Sequence, residues 1–226
     1  MDEIAKSAAI KVTRVIRTSR HCMFPMEGRG VVAYRDLRLR YLTLVTSTQF
    51  PHSVQTGLCE CLGLDDGAVR VISPDVGGGF GYKGLLCREE VALGWLALQV
   101  NHPVRWLEDC REHLSANANC REHHYDITGY ALARAASFLP STASVTWMPG
   151  AYSDYPISSA PEAAQIANLL PGPYSFATYR CRSAAVATNK CPIIPYRGVA
   201  RSGICLAIEV VMDAIAREAG PRTVRV

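Results

Sequence analysis

The hydrophobic period of this sequence changes several times between the two-residue period of a strand and the longer period of a helix. Alternating and β-branched residues predict three early strands, at residues 9–18, 30–35 and 37–46. Apolar residues at Val54, Leu58, Cys61 and Leu62 then share one helical face, and they predict a helix over 51–64 with a proline in its first turn. A chain that carries both periods is expected to fold into mixed α/β, or α+β, layers.

The later segments continue this alternation. The pattern predicts a strand at 68–73, a largely buried helix at 87–100 and a strand at 103–109. Five apolar residues predict one face of a further helix: Ile204, Ile208, Val211, Met212 and Ile215. On that helix, Asp213 and Arg217 have the spacing of an i, i+4 ion pair.

Size and charge exclude several classes of protein. With 226 residues, of which 49% are apolar, the chain can bury one good core or two small ones. The net charge of +4 is small, and the only dense basic stretch, residues 35–41, alternates with leucines like a strand with one solvent-facing side. No basic stripe with interleaved aromatic residues is present, so nucleic acid is not expected as a partner. The N-terminal stretch has two acids and no long apolar run, so we expect no membrane span and a cytoplasmic location.

The cysteines and histidines do not form a pattern typical of metal sites. The nine cysteines are scattered without a CxxC pair, which argues against both a disulfide framework and a structural zinc site. We interpret them as small buried hydrophobic residues and expect no metal ligand among the side chains. His123 and His124 occupy a strand-like stretch and are expected to lie at the surface.

A glycine-rich loop at residues 73–84, "SPDVGGGFGYKG", separates a predicted strand from a predicted helix. Because Pro74 stops the strand early, residues 77–81 are expected to form an extended platform that a ligand can approach closely. The segment 79–84 also matches the GxGxxG pattern of dinucleotide-binding domains, which leaves a Rossmann-type NAD(P) dehydrogenase as an alternative. In that fingerprint, however, the first glycine follows the strand closely and an acid comes about 20 residues later, and neither spacing is found here. A glycine-rich turn without a ligand is the third interpretation.

Three ordered motifs favour a different class of protein. "TSTQFPHSVQTGLCECLGL" (46–64), "GGGFG" (77–81) and "ATNKCPIIPYRGVARSG" (187–203) together resemble the molybdopterin-binding large subunits of the xanthine dehydrogenase and aldehyde oxidase family. This family of molybdenum hydroxylases includes relatives called carbon monoxide dehydrogenase-like. Four shorter motifs agree with it: "PMEGRG", "VRWLED", "GAYSDYP" and "LLPGPY". The likeness spans nearly the whole chain, so it outweighs a single GxGxxG match.

The resemblance implies a partial chain. Residues 1–20 would be a junction segment with the first strand after a hammerhead domain, and residues 21–226 would be the N-terminal part of the first molybdopterin-binding domain. Family subunits are several times longer, and the missing part would contain the catalytic glutamate. The resemblance therefore implies a fragment that is inactive alone, and a non-catalytic remnant stays as an alternative.

The resemblance also implies residue roles and cofactors. Gln49 matches the glutamine that hydrogen-bonds the apical oxo ligand of molybdenum, and Arg197 matches the arginine that orients substrate or stabilises negative charge. The cofactor-binding backbone would include Gly78, Gly79, Phe80 and Gly81 in one loop and Gly198 beside Arg197. The family implies a molybdenum-molybdopterin cofactor in the cytosine dinucleotide form, a small-molecule substrate, and partner subunits with 2Fe-2S clusters and FAD.

Several positions depart from the family pattern. Gly198 stands where true carbon monoxide dehydrogenases have a copper-binding cysteine, and Gly84 stands where xanthine-oxidising relatives have a substrate-binding glutamate. Aldehydes and N-heterocycles remain as substrate classes, and Glu27 is either a turn residue or part of the substrate entry. Residues 131–149 lack the turn glycine and the period-2 alternation, although both flanks match. We interpret this as two compensating frameshifts, which predicts that another reading frame restores a "DxDG"-like turn and that the stretch is poorly ordered.

Overall fold

The computed structural model describes residues 6–116, 119–131, 141–156, 161–176 and 178–220. The helices of this part of the chain are α1 (Pro51–Leu62), α2 (Arg88–Val100), α3 (Cys110–Ala116), α4 (Pro161–Leu169) and α5 (Arg201–Ala219). The strands are β1 (Ile10–Arg17), β2 (Arg20–Cys22), β3 (Gly30–Asp36), β4 (Tyr41–Thr46), β5 (Val69–Ile72), β6 (Val104–Leu107), β7 (Asn119–Arg121), β8 (His123–Ala131), β9 (Ser141–Gly150) and β10 (Tyr179–Ala187). The mixed α/β class predicted from the sequence is therefore confirmed.

The first sheet has the strand order β5-β4-β3-β6. Strand β3 is antiparallel to both β4 and β6, whereas β4 and β5 run parallel. Helices α1 and α2 pack on one face of this sheet, and the side chains buried between them include Val31, Ala33, Leu42, Leu44, Val54 and Leu58. A Cβ at Gly94 of α2 would lie 3.3 Å from Leu42 Cδ2, so the missing side chain lets the helix approach the sheet closely.

The second sheet has the order β1-β8-β9-β10 and is covered by α4 and α5. Trp147 on β9 and Tyr125 on β8 are its largest fully buried side chains. All five residues predicted to form one face of the C-terminal helix are buried on α5, and the predicted Asp213–Arg217 ion pair is present at 2.8 Å. A short ladder of β2 with β7 is the third β-structure of the described residues.

One predicted strand has different limits in the structure. The strand predicted at 37–46 begins only at Tyr41, because residues 37–40 form the turn between β3 and β4. The Asp36 carboxylate accepts the backbone N–H groups of Arg38 and Leu39, and Arg40 has a φ of 59°. The basic residues of 35–41 therefore belong mostly to a turn, and their alternation with leucine does not reflect a strand.

Helix α2 was predicted to be largely buried, and this prediction is wrong. Only Glu90, Gly94 and Ala97 are buried, because only the side of the helix that faces the sheet is covered. Trp95, Leu96 and Val100 are exposed.

The cysteine and histidine predictions need correction as well. Cys59 and Cys120 are buried, but five cysteines are exposed: Cys22, Cys61, Cys110, Cys191 and Cys205. His123, predicted at the surface, is fully buried on β8, where its Nε2 lies 3.1 Å from the Glu162 carboxylate. A polar partner supplied by α4 makes this burial possible, and the local sequence gives no sign of that partner.

Residues 141–149, interpreted as having lost the period-2 alternation, form β9. Ser141, Ala143, Val145 and Trp147 are buried in alternation with less buried neighbours, as in a strand with one face on the core. Ala131 ends β8, whereas residues 132–140 lie outside the described residues. The frameshift interpretation stays a prediction about that segment. Among the described helices, none is long and apolar enough to cross a membrane.

Candidate functional site

The glycine-rich loop between β5 and α2 is tightly turned. Gly78, Phe80 and Gly81 have φ values of 92°, 56° and 108°, and the short 3-10 helix Tyr82–Gly84 follows directly. The expected extended platform is therefore wrong, since three of its five residues adopt left-handed backbone conformations. A phenylalanine in this region is uncommon, and surrounding contacts must hold it there.

Gln49 is fixed to this loop. It lies between β4 and α1, and its Oε1 accepts a 2.9 Å hydrogen bond from Gly81 N, while its own backbone N–H donates to Lys83 O at 2.7 Å. A Cβ at Gly79 would overlap Gln49 Oε1, so glycine is required there for the amide to reach the loop. Gln49 does not cap α1, because the start of that helix has no side-chain capping hydrogen bond.

The segment before α5 meets the glycine-rich loop from the other side. Arg197 N donates a 2.8 Å hydrogen bond to Phe80 O, and a Cβ at Gly81 would overlap Pro195 O. The two loops border an open cleft of about 400 Å³ lined by Gln49, Phe80, Gly81, Pro195, Tyr196, Arg197 and Val199. The structure thus brings Gln49, the glycine-rich loop and Arg197 together, although they are far apart in the sequence.

The cleft offers hydrogen-bond donors that the protein itself does not use. With Gln49 Oε1 occupied, the amide Nε2 has no hydrogen-bond partner among the described residues. The exposed Arg197 guanidinium likewise makes neither an ion pair nor a hydrogen bond within the described part of the chain. A neutral amide and a guanidinium suit a ligand rich in oxygen or sulfur acceptors that carries negative charge.

An ion pair between Lys83 and Glu27, which the sequence did not reveal, anchors the glycine-rich loop. Lys83 is 1% exposed, and its Nζ lies 2.7 Å from Glu27 Oε1. The other carboxylate oxygen of Glu27 accepts the Gly77 backbone N–H at 2.8 Å. The hydrogen bond from Lys83 lowers the pKa of Glu27. Glu27 therefore ties both ends of the loop together.

A buried cluster of side chains holds Tyr82, the residue between Gly81 and Lys83. Tyr82 OH donates to Glu108 Oε1 at 2.9 Å, and Arg29 binds the same carboxylate at 2.7 Å and Glu89 at 2.8 Å. Burial would raise the pKa of Glu108, but its hydrogen bonds with Arg29 and His113, together with the Arg29 charge, lower it to about 2. Burial also raises the pKa of Tyr82 well above its ordinary value. The loop is thus anchored to a cluster of charged side chains.

Two motifs quoted for the family resemblance supply these anchors. Glu27 and Arg29 come from "PMEGRG", and Glu108 comes from "VRWLED". The Glu108 carboxylate is occupied by Arg29, Tyr82 and His113, so it is not available to a bound dinucleotide. No group of three or more His, Cys, Asp or Glu residues suited to a metal ion occurs within the described ranges.

Comparison with known proteins decides the family. The sequence model described as "Molybdopterin cofactor-binding domain" matches residues 1–226. The chain belongs to this molybdopterin cofactor-binding family. The resemblance predicted from the motifs is thereby confirmed, and the family is one of oxidoreductases.

Three relatives of this molybdopterin-binding chain cover most of it. The chain is 34% identical over 219 residues to the nicotine 6-hydroxylase large subunit of Paenarthrobacter nicotinovorans, covering 96% of this chain and 27% of that protein. It is 30% identical to the 6-hydroxypseudooxynicotine dehydrogenase complex subunit gamma of the same organism, covering 90% of this chain and 25% of that protein. The crystal structure of quinoline 2-oxidoreductase from Pseudomonas putida 86 superposes with a TM-score of 0.89 at 32% identity, covering 96% of this chain and 28% of that one. The chain therefore spans about a quarter of the length of these relatives.

The residues at the cleft fit the molybdopterin cofactor. Its pterin, dithiolene and phosphate groups are acceptor-rich, and the unengaged donors of Gln49 and Arg197 complement them. Gly198 has a φ of 88°, and a Cβ there would contact nothing within 4 Å, so its backbone stays open to a ligand. A Cβ at Gly84 would lie 3.1 Å from the Phe50 ring, so a longer side chain fits there only if Phe50 moves.

Proposed function

We propose that this chain supplies one wall of a molybdenum-cofactor site in a hydroxylase that adds a water-derived oxygen to a carbon of an N-heterocyclic substrate. The observation that carries the proposal is the meeting of Gln49, the glycine-rich loop and the Arg197 segment around one cleft with two unengaged donors. The match of the family model to residues 1–226 supports the same cofactor.

Each residue has a role that its contacts allow. Gln49 would help to hold the bound cofactor through its Nε2 donor, because Oε1 accepts the hydrogen bond from Gly81. The backbones of Gly78, Gly79, Gly81 and Gly198 would hold the pterin, and Phe80, which is 40% exposed, would form an apolar wall of the substrate pocket. The Arg197 guanidinium orients the substrate and stabilises developing negative charge. When bound, the cofactor supplies the metal centre that transfers the oxygen and accepts two electrons.

The names of the relatives favour the substrate class. Nicotine 6-hydroxylase and quinoline 2-oxidoreductase are both named for N-heterocyclic compounds, and they are 34% and 32% identical to this chain. Gly198 in place of a copper-binding cysteine disfavours carbon monoxide as substrate. Gly84, packed against Phe50, leaves no room for the substrate-binding glutamate of xanthine-oxidising relatives unless Phe50 moves, which disfavours purines.

The rest of the assembly is part of the proposal. The chain would be the N-terminal part of a molybdopterin-binding domain over residues 21–226, preceded by a junction segment over 1–20. The cofactor would be the cytosine dinucleotide form, and electrons would leave through partner subunits with 2Fe-2S clusters and FAD. Relatives named as a large subunit and as a subunit of a complex support such an assembly. The cytoplasm stays the predicted location.

The test uses the complete large subunit that carries this sequence, assembled with its partners in a host that makes the cofactor. Molybdenum and pterin are quantified, and oxidation of a pyridine, a quinoline, an aliphatic aldehyde and an aromatic aldehyde is followed with an artificial electron acceptor. We expect one molybdenum per subunit and turnover of at least one heterocycle. Turnover of aldehydes alone would replace the substrate class, and full molybdenum loading without turnover of either class would overturn the proposed function.

A further inference from the structure

Two successive residues with left-handed backbone lie where β7 ends and β8 begins: Arg121 is the last residue of β7, and Glu122 links the two strands. Arg121 has a φ of 69° and Glu122 a φ of 78°. Neither residue is glycine, and such conformations are unfavourable unless surrounding contacts hold them, so they concentrate at functional positions. Two neighbouring side chains of opposite charge thereby reach different parts of the segment that precedes α5.

Arg121 grips the residues on both sides of Gly198. Its Nη1 donates to Val199 O at 2.5 Å and its Nη2 to Arg197 O at 3.2 Å, while the guanidinium carbon lies 5.1 Å from the centre of the Tyr196 ring. The residue is 8% exposed, and no carboxylate of the described residues lies within ion-pair distance of it. This buried cation is therefore committed to the backbone of the Arg197 segment.

Glu122 holds the start of the same segment. Its carboxylate pairs with Arg20 at 2.6 Å and with Lys190. Arg20 in turn donates to the carbonyl oxygens of Cys191 and Met148. The two strained residues thus fasten both ends of residues 190–199, and Arg121 fastens the end that carries Arg197.

We propose that Arg121 is the positioning residue for Arg197: its planar fork fixes the backbone on both sides of Gly198 and thereby aims the Arg197 side chain into the cleft. A guanidinium can donate to two carbonyl oxygens in a fixed geometry, whereas a lysine ammonium is a flexible point charge that does not reproduce the fork. The chemistry assigned to Arg197 rests on the proposed function, but the grip of Arg121 on the segment does not.

The first test needs only this chain. Backbone amide hydrogen exchange is measured for Arg121→Ala and Arg121→Lys, with Arg14→Ala, an exposed arginine of β1, as the control. Three amides report on the segment, since Arg197 N, Val199 N and Arg201 N donate to Phe80 O, Tyr196 O and Gly198 O. We expect their exchange to rise on the order of ten-fold in Arg121→Ala, with the amides of α1 unchanged. Added guanidinium ion, well below denaturing concentrations, should restore protection, and the lysine variant should do so only in part.

The second test uses the assembled hydroxylase. Misplacement of a catalytic group by about 1 Å can cost on the order of 10²-fold in rate, so Arg121→Ala should lower kcat by about this factor. The molybdenum content should be unchanged, and added guanidinium ion should restore part of the lost kcat. An assembly that contains no molybdenum would count against the proposed function and would leave the exchange result standing.

Three outcomes would overturn the role of Arg121. These are unchanged exchange at the three amides in Arg121→Ala, increased exchange that extends equally to α1, and wild-type protection in Arg121→Lys. If Arg121→Ala does not fold, the lysine variant alone decides, because its ammonium keeps the charge and loses the fork.

Discussion

The backbone N–H of Arg197 donates a 2.8 Å hydrogen bond to the carbonyl oxygen of Phe80. This bond joins the glycine-rich loop after β5 to the segment before α5, and it closes the cleft on the side where Gly81 and Pro195 touch. Phe80 has a left-handed backbone conformation, and the flexible glycines on either side allow the chain to adopt it. The direction of the Phe80 carbonyl therefore depends on those glycines. The contact therefore makes the site sensitive to side chains added inside the loop.

Replacing Gly81 with alanine should separate the two loops. The new Cβ would overlap Pro195 O, and the φ of 108° is unfavourable for alanine. We expect the free energy of unfolding in urea to fall by about 1–3 kcal/mol. Gly67→Ala is the matched control, since a Cβ there meets nothing within 4 Å and the change should be nearly neutral. Equal stability of the two variants would mean that the loops are not in contact.

The buried Glu108 carboxylate predicts acid sensitivity. Because its pKa is lowered from 4.5 to about 2, the ionised form stabilises the fold fully above pH 4.5, and this contribution is lost as the pH falls towards 2. Glu108→Gln leaves Arg29 without this partner and should cost about 3 kcal/mol or more at pH 7. Urea unfolding at several pH values should show the difference between wild type and variant shrinking below pH 4.5. A constant difference down to pH 2 would contradict this account.

The isolated 226-residue chain should be inactive. It supplies Gln49, Phe80 and Arg197 on one side of an open cleft, and preorganised charges stabilise a transition state poorly where water enters. We expect no dye-linked oxidation of aldehydes or heterocycles by the purified chain, even with sulfurated cofactor added, and only weak molybdenum binding. Tight equimolar binding with turnover would show that other residues of this chain carry the chemistry.

The hydrophobic period predicted much of the fold. The motifs and their order in the sequence identified the main candidate residues of the cleft. The helix predicted at 51–64 runs from Pro51 to Leu62 and ends where Gly63 adopts a left-handed conformation, as its local chemistry suggests. The anchors of the loop were not predictable in the same way. Glu27 and Lys83 are distant in sequence, and nothing local marks the buried Lys83 as the partner of the exposed Glu27. His123 was misplaced for the same reason, because its partner Glu162 comes from another element.

The role of Gln49 in the cleft is tested by turnover per bound molybdenum in the assembled hydroxylase, with Gln49→Ala compared with Gln99→Ala on the exposed side of α2. One side-chain hydrogen bond contributes only about 1 kcal/mol to stability, so both variants should fold and load the cofactor. We predict that Gln49→Ala loses at least about ten-fold in turnover per molybdenum, whereas Gln99→Ala matches the wild type. Unchanged turnover in Gln49→Ala at full molybdenum content would remove Gln49 from the site and contradict the assignment of this cleft.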